Sequence, residues 1–354
     1  MKQLRFAAIG CGEMGHLHVQ NANHVPGVKV VAFGDVRQEA GEKFLQRYGG
    51  EYATTDMDRI FADKSIDAVL IQTGEKHHPA LGIAAAKADK HIFMEKPIAV
   101  TVEEALQLEK EVRRSKVKYI IGLCNRLAPA VKKAKEILPN PYITIAQTAH
   151  SVAGQACHNL DLIVHLFHEA PLQSVYASGG HYYGIDPHIP CDSFCAVLKF
   201  ADGSQATYVQ HGQAVISAMT KYSMQLFGRD RGVFLAKRYK ECQVSTSLKE
   251  PDFVYGFTGP DFSPCWSAPL DQHFKDVRGP HGYMGHYDEI AELAKAIRND
   301  TEPPMTVEHG RHVLQVEKAI FESLTTNTVV DYAKFVDRWG CKPLSAGPGL
   351  GKRD

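Results

Sequence analysis

Three glycines near the start constrain this chain more than any other feature of it. Gly10-Cys-Gly12-Glu-Met-Gly15 follows an apolar run at residues 5–9 and opens a helical pattern. A GxGxxG alone is a weak signal, and its place between a strand and a helix gives it weight. The first glycine permits a tight turn, the second lets the backbone approach a pyrophosphate, and the third allows close helix–strand packing. The helix start offers unpaired N–H groups and the positive end of its dipole to phosphates. Glu13 and Met14 complete the loop and are taken with the glycines as cofactor-binding. Asp35 closes the second apolar run, 35 − 15 = 20 residues past Gly15, where a carboxylate can bond the adenosine ribose hydroxyls. A carboxylate there opposes a 2′-phosphate, so NAD is expected over NADP. Arg37 pulls the other way, since a guanidinium can pair with such a phosphate.

The pattern around the fingerprint agrees. Short apolar runs at 5–9, 28–33, 68–72, 91–93 and 118–122 alternate with helical periodicity, the mark of a parallel sheet with crossover helices. Thr101-Val-Glu-Glu104 is a capping box, and Ala105, Leu108 and Val112 recur at helical spacing behind it. After about residue 123 the grammar changes. One helix at 130–138 is followed by strands with few helices between them. Phe194, Ala196, Leu198 and Phe200 alternate with Ser193, Cys195, Val197 and Lys199, and Asp202-Gly203 turns the chain into 205–210. Residues 222–236 read as another strand pair, and two helices near 286–298 and 306–324 close the chain. The expected division is a dinucleotide-binding domain at 1–122 and a second α/β domain at 123–354.

Bulk properties exclude several classes. Lys+Arg and Asp+Glu both number 40, so a zero formal charge offers no long-range attraction to nucleic acid or to anionic membrane. It leaves little self-repulsion, which suits a homo-oligomer. No apolar run approaches the roughly 20 residues of a membrane span, and the first nine residues are too short for a signal segment. Eight scattered cysteines without a CxxC pair read as reduced thiols, which places the chain in the cytoplasm.

Three more segments follow the third, fourth and fifth strands: Thr73-Gly-Glu-Lys-His-His78-Pro, Glu95-Lys96-Pro97 and Gly122-Leu-Cys-Asn-Arg126. With the fingerprint and the closing helix around Glu292 to Pro303, the chain resembles the Gfo/Idh/MocA (glucose–fructose oxidoreductase, inositol dehydrogenase, rhizopine catabolism) family. The resemblance implies a Rossmann domain followed by an α/β domain on an open, mostly antiparallel sheet that often mediates oligomers, here a homodimer or homotetramer. It implies a sugar, cyclitol or related polyol as substrate. It also places Lys96 against the reacting oxygen, and Thr73, Gly74, His78, Glu95 and Asn125 beside the cofactor. The chemistry agrees, because hydride leaves a carbinol carbon only if the O–H proton is removed.

The family carries an Asp-x-x-x-His-x-x-Asp element early in its second domain. Here Gly154-Gln-Ala-Cys-His158-Asn-Leu-Asp161 keeps His158 and Asp161, read as catalytic, while Gly154 replaces the first carboxylate. His165 and His168 lack ligand spacing, so they read as core or interface residues and no metal is expected. Tyr255, Trp266, His281, Tyr283 and His286, in a long aromatic loop at 251–286, are equally compatible with sugar stacking and with a packing cover. Two alternatives share the fold: an NAD-recycling glycosidase working by transient oxidation and elimination, and a non-catalytic NAD and sugar sensor. Lys96 argues against the sensor, which has no need of an acid/base.

Overall fold

The computed structural model describes residues 3–149, 152–182, 191–212, 222–246, 264–267 and 284–344. The chain forms two compact units. The first takes Met1–Leu127 and Leu270–Gln315, the second Ala128–Pro269 and Val316–Asp354. The first unit's leading stretch ends near the expected boundary, and a second stretch later in the chain joins it. The chain returns to the first unit through α8 (His286–Asn299), whose buried Ile290, Leu293 and Ala294 place it in that unit's core beside α1 (Glu13–His24). Residue patterning alone does not reveal which unit an amphipathic helix covers.

In the first unit β1 (Leu4–Ile9), β2 (Val28–Gly34), β3 (Tyr52–Thr54), β4 (Ala68–Ile71), β5 (His91–Met94) and β6 (Tyr119–Ile121) form one sheet in the order β3-β2-β1-β4-β5-β6. Every neighbouring pair is parallel. Phe6, Ala7, Ala8 and Ile9 are each at most 1% exposed, as expected for strands with both faces covered. The crossover helices are α1, α2 (Gln38–Tyr48), α3 (Met57–Ala62), α4 (His78–Lys87) and α5 (Val102–Ser115). The capping box at Thr101 is present in both halves, with Glu104 reaching back to the Thr101 amide. The strand order reverses between β1 and β4. Ligands bind parallel sheets of this kind at the carboxyl ends beside that reversal.

In the second unit β7 (Ile143–Ala149), β8 (Leu172–Gly180), β9 (Ser193–Phe200), β10 (Gln205–His211), β11 (Tyr222–Phe227), β12 (Arg231–Ala236), β13 (Glu241–Thr246), β14 (Pro264–Ser267) and β15 (Val330–Asp331) form one sheet. Its order is β14-β13-β12-β11-β7-β10-β9-β8-β15, and among the described pairs only β7 with β10 is parallel. The β9–β10 hairpin turns at Gly203, whose φ is +86°, and Phe194, Ala196, Leu198 and Phe200 are buried as the alternation requires. The opposite face is open: Ile143, Ile145 and Val197 are 50%, 41% and 40% exposed. α6 (Pro129–Ile137), α7 (Val152–Asp161) and α10 (Tyr332–Asp337) belong to this unit, and α9 (Val307–Thr326) runs from one unit's residues into the other's. Among the described residues no helix is long and apolar enough to cross a membrane.

His168 illustrates how this core uses a polar ring. It stacks on Phe200 at 4.2 Å, with its two nitrogens on Ser204 Oγ at 2.8 Å and Thr144 Oγ1 at 2.9 Å. Burial lowers its pKa to about 4, against a smaller opposing pull from Asp202. A histidine whose folded pKa lies below its unfolded value of about 6.5 binds protons more readily when unfolded. Stability should therefore fall as pH drops from about 6.5 to 4, by up to roughly 3 kcal/mol from this ring. Thermal unfolding from pH 7 to pH 4 should show a visibly shallower loss in His168→Gln than in the parent. Parallel curves would mean the ring does not titrate on unfolding.

Candidate active site

At the end of β1 the chain turns at Gly10 with φ +101°, and a Cβ there would lie 2.7 Å from the Gln72 carbonyl oxygen. A Cβ on Gly15 would lie 2.6 Å from the Gly10 carbonyl oxygen and 3.1 Å from the Phe44 ring. Both glycines are demanded by the protein's own packing. Gly12 is not, since a Cβ there would meet nothing within 4 Å. That open space above the backbone is what a pyrophosphate needs. Gly12 is also the N-cap of α1, and no side chain caps that helix, so its first amides remain available to an anion. Glu13 and Met14 are exposed on the same turn.

Asp35 lies just beyond the end of β2. Its Oδ2 accepts from the Cys11 amide at 2.8 Å and its Oδ1 from the Arg37 amide at 2.9 Å. The Arg37 side chain is 71% exposed, 3.5 Å from Oδ1. A cavity of about 210 Å³ opens beside them, lined by Cys11, His16, Arg37, Lys43 and Phe44 among others. Burial, reinforced by Asp35, pushes the Cys11 thiol up to about 12, so it stays a neutral wall residue.

Past β4, a Cβ on Gly74 would meet nothing within 4 Å, and the Thr73 hydroxyl has only a long contact, 3.4 Å, to the Gly74 carbonyl. Both side-chain amide atoms of Gln72 and Nδ2 of Asn125 are buried without a hydrogen-bond partner. Orphaned amides at strand ends fit a bound dinucleotide, whose ribose and carboxamide groups can pair them. His78 does something else. It is 1% exposed and aims Nδ1 at the Pro97 carbonyl, 2.7 Å, and Nε2 at the Thr73 carbonyl, 3.0 Å. The ring ties the loop after β4 to the loop after β5.

Glu95 and Lys96 follow β5. Glu95 is 5% exposed; its Oε1 accepts from His18 Nε2 at 2.5 Å and its Oε2 from the Lys96 amide at 3.0 Å. Burial alone would raise this carboxyl's pKa, but the His18 hydrogen bond and the nearby charges of His18, Lys96 and His286 outweigh it and hold the pKa well below the ordinary range. Glu95 therefore stays ionised and clamps the main chain that carries Lys96, whose side chain is half-buried. The Lys96–Pro97 bond is cis.

In the second unit, α7 continues as a π-helical turn, Leu162–Phe167. His158 is 5% exposed with its ring edge-on to Tyr222 at 5.8 Å. The Tyr222 hydroxyl donates to Gln155, and the Tyr239 hydroxyl donates to Asn159, which in turn donates to the Gln147 carbonyl at 2.8 Å. Asp161 is buried and accepts from His165 Nδ1 at 2.9 Å. His165 and His168 are both core residues. Gly154 lies on α7, while its surroundings, and Tyr255, His281, Tyr283 and the Trp266 side chain, lie outside the described residues.

The first unit thus brings Gly10, Gly12, Gly15, Asp35, Gln72, Thr73, Gly74, Glu95, Lys96 and Asn125 to the ends of its strands. Sequence reasoning missed His18, Gln72 and Glu289. His18 carried a legible signal, a polar residue three places past Gly15 on the apolar side of α1 with Val19 and Ala22.

Fold and site together define a nicotinamide-dependent oxidoreductase. A family model described as "Oxidoreductase family, NAD-binding Rossmann fold" matches residues 4–123. A levoglucosan dehydrogenase of Pseudarthrobacter phenanthrenivorans is 32% identical over 399 residues, covering 94% of this chain and 98% of that protein. A myo-inositol 2-dehydrogenase of Thermotoga maritima is 22% identical, covering 91% and 96%. A solved levoglucosan dehydrogenase in complex with NADH and levoglucosan shares the fold at TM-score 0.78 and 20% identity, covering 94% of this chain and 100% of that one. This chain belongs to the Gfo/Idh/MocA family. Its cofactor is NAD.

The glycine geometry separates folding from binding. Gly12→Ala should leave thermal unfolding within about 1 kcal/mol of the parent while weakening NAD binding roughly tenfold or more, about 1.4 kcal/mol. Gly15→Ala should destabilise the fold itself, because its Cβ would meet a backbone oxygen. Calorimetry and cofactor fluorescence titration read the two effects separately. Equal thermal losses in both variants would contradict the assignment.

Proposed function

We propose that this enzyme oxidises a hydroxyl of a sugar, cyclitol or related polyol, with Lys96 exchanging the proton at the reacting oxygen. The observation that carries the reading is the Glu95 clamp. A buried, ionised carboxylate fixes the backbone of Lys96 at the carboxyl end of β5, in the unit that also holds the open glycine loop. Bound NAD supplies the hydride acceptor. The chain supplies the rest: a lysine amine takes the hydroxyl proton as hydride departs, and its ammonium stabilises the alkoxide in the reverse direction.

His158 is proposed as a second acid/base, imidazole being the side chain whose unperturbed protonation change falls closest to neutral pH. Asp161 is proposed to act through His165, which it orients, rather than on substrate. Glu95 and His78 are proposed to shape the cofactor loops through the main chain. Relatives named for levoglucosan and inositol oxidation support the dehydrogenase reading over an NAD-recycling glycosidase and over a sensor. The exposed Ile143, Ile145 and Val197 support a homodimer or homotetramer through the open sheet face. We propose a cytoplasmic location on the scattered cysteines.

Lys96→Met should lower turnover on a verified substrate by about a hundredfold or more while leaving NAD affinity nearly unchanged. Product and NADH should accumulate one for one in the parent. Near-normal turnover in the variant would remove Lys96 from the chemistry.

His158→Ala should lower turnover and flatten the pH dependence near neutrality, as loss of a titrating imidazole requires. An unaltered kinetic pH profile would place His158 outside proton transfer.

A further inference from the structure

Behind Lys96, on the far side of Glu95, buried groups converge that the proposed chemistry does not use. His18 Nε2 is committed to Glu95, and its other nitrogen, Nδ1, faces Glu289 Oε1 at 3.7 Å. His286 Nδ1 lies 3.5 Å from the same oxygen. One ligand atom from each of His18, His286 and Glu289 lies within 4.8 Å of the others. His18 and Glu289 are 0% exposed and His286 is 9% exposed.

These separations are long for hydrogen bonds, whose usual range ends near about 3.2 Å. His18 Nδ1 and Glu289 Oε2 have no hydrogen-bond partner. Two buried imidazole nitrogens thus face one buried carboxylate oxygen at 3.5 and 3.7 Å, and the second oxygen of that carboxylate has no partner, a costly arrangement unless an ion or a proton is shared among them.

The geometry suits a cation. Ligands at about 2.1 Å from a tetrahedral ion stand about 3.4 Å apart, close to the contacts found here. His286 and Glu289 occupy successive turns of α8 at i and i+3, and His18 comes from α1. Glu95 accepts from the Nε2–H of His18, and in that tautomer the neutral ring presents the Nδ1 lone pair to an ion. A histidine ligand is commonly held by an outer carboxylate in this way. Two imidazoles and one carboxylate favour zinc over calcium or magnesium, which prefer all-oxygen shells.

We propose that His18, His286 and Glu289 form a buried structural site for a zinc-class divalent cation, with Glu95 as the outer partner of His18. The ion cross-links α1 to α8 behind the strand that bears Lys96. The proposal departs from the sequence expectation of no metal, and it stands independently of the substrate assignment.

The test uses the tag-free full chain, stripped with a chelator, with cobalt(II) as the probe. The parent should take up one equivalent with the intense visible bands of a four-coordinate nitrogen and oxygen shell. Zinc should displace the cobalt and raise the unfolding temperature. Glu289→Gln and His286→Asn should each weaken uptake by about a hundredfold or more while keeping a native circular dichroism spectrum. Should one variant fail to fold, the other carries the comparison. No stoichiometric uptake by the parent, or parent-like uptake in a folded variant, would overturn the site. So would a near-ultraviolet thiolate band showing the ion on cysteine.

Discussion

The contact on which most of this site depends is the buried pair between His18 and Glu95. An ionised carboxylate removed from water costs several kcal/mol unless its oxygens are matched. Here one oxygen is met by an imidazole from α1 and the other by the Lys96 amide. The helix that starts at the glycine loop and the strand end that presents the lysine are thereby held by a single charged group. Neither can shift without exposing that charge to an apolar surrounding.

The parallel sheet explains why so many polar groups gather at one rim. Every strand from β1 to β6 runs the same way, so every strand-to-helix loop leaves from the same edge. The loop after β1 offers helix amides and open space at Gly12. The loop after β4 offers Thr73 and Gly74, and the loop after β6 offers Asn125. His78 joins two of these loops through carbonyl contacts, which makes their spacing a property of the folded unit rather than of either segment.

The second unit reaches rigidity by another route. α7 carries His158 and Asp161, and its polar side chains meet β7 and two tyrosines, Tyr222 from β11 and Tyr239 from the turn between β12 and β13. Tyr222 and Tyr239 stack at 5.8 Å and donate to Gln155 and Asn159. Asp161 meets His165 Nδ1 one turn further along. The two residues kept from the sequence motif thus have different neighbours, His158 an aromatic ring and Asp161 a buried imidazole.

The elements legible in the sequence were those written locally. The glycine loop, the capping box at Thr101, the β9–β10 hairpin and the alternating strands follow from backbone freedom, hydrogen-bond capping and side-chain period, which act over a few residues. The candidate lysine was legible because it stands in a short, specific segment after a strand. What the chain order concealed was everything set by distant partners. The return of α8 to the first unit, the use of His78 on the Pro97 carbonyl and the meeting of His18 with Glu95, His286 and Glu289 each join residues far apart in sequence. Local pattern says which face of a helix is apolar. Only packing decides which strand lies under that face, and so which buried charge meets which ring.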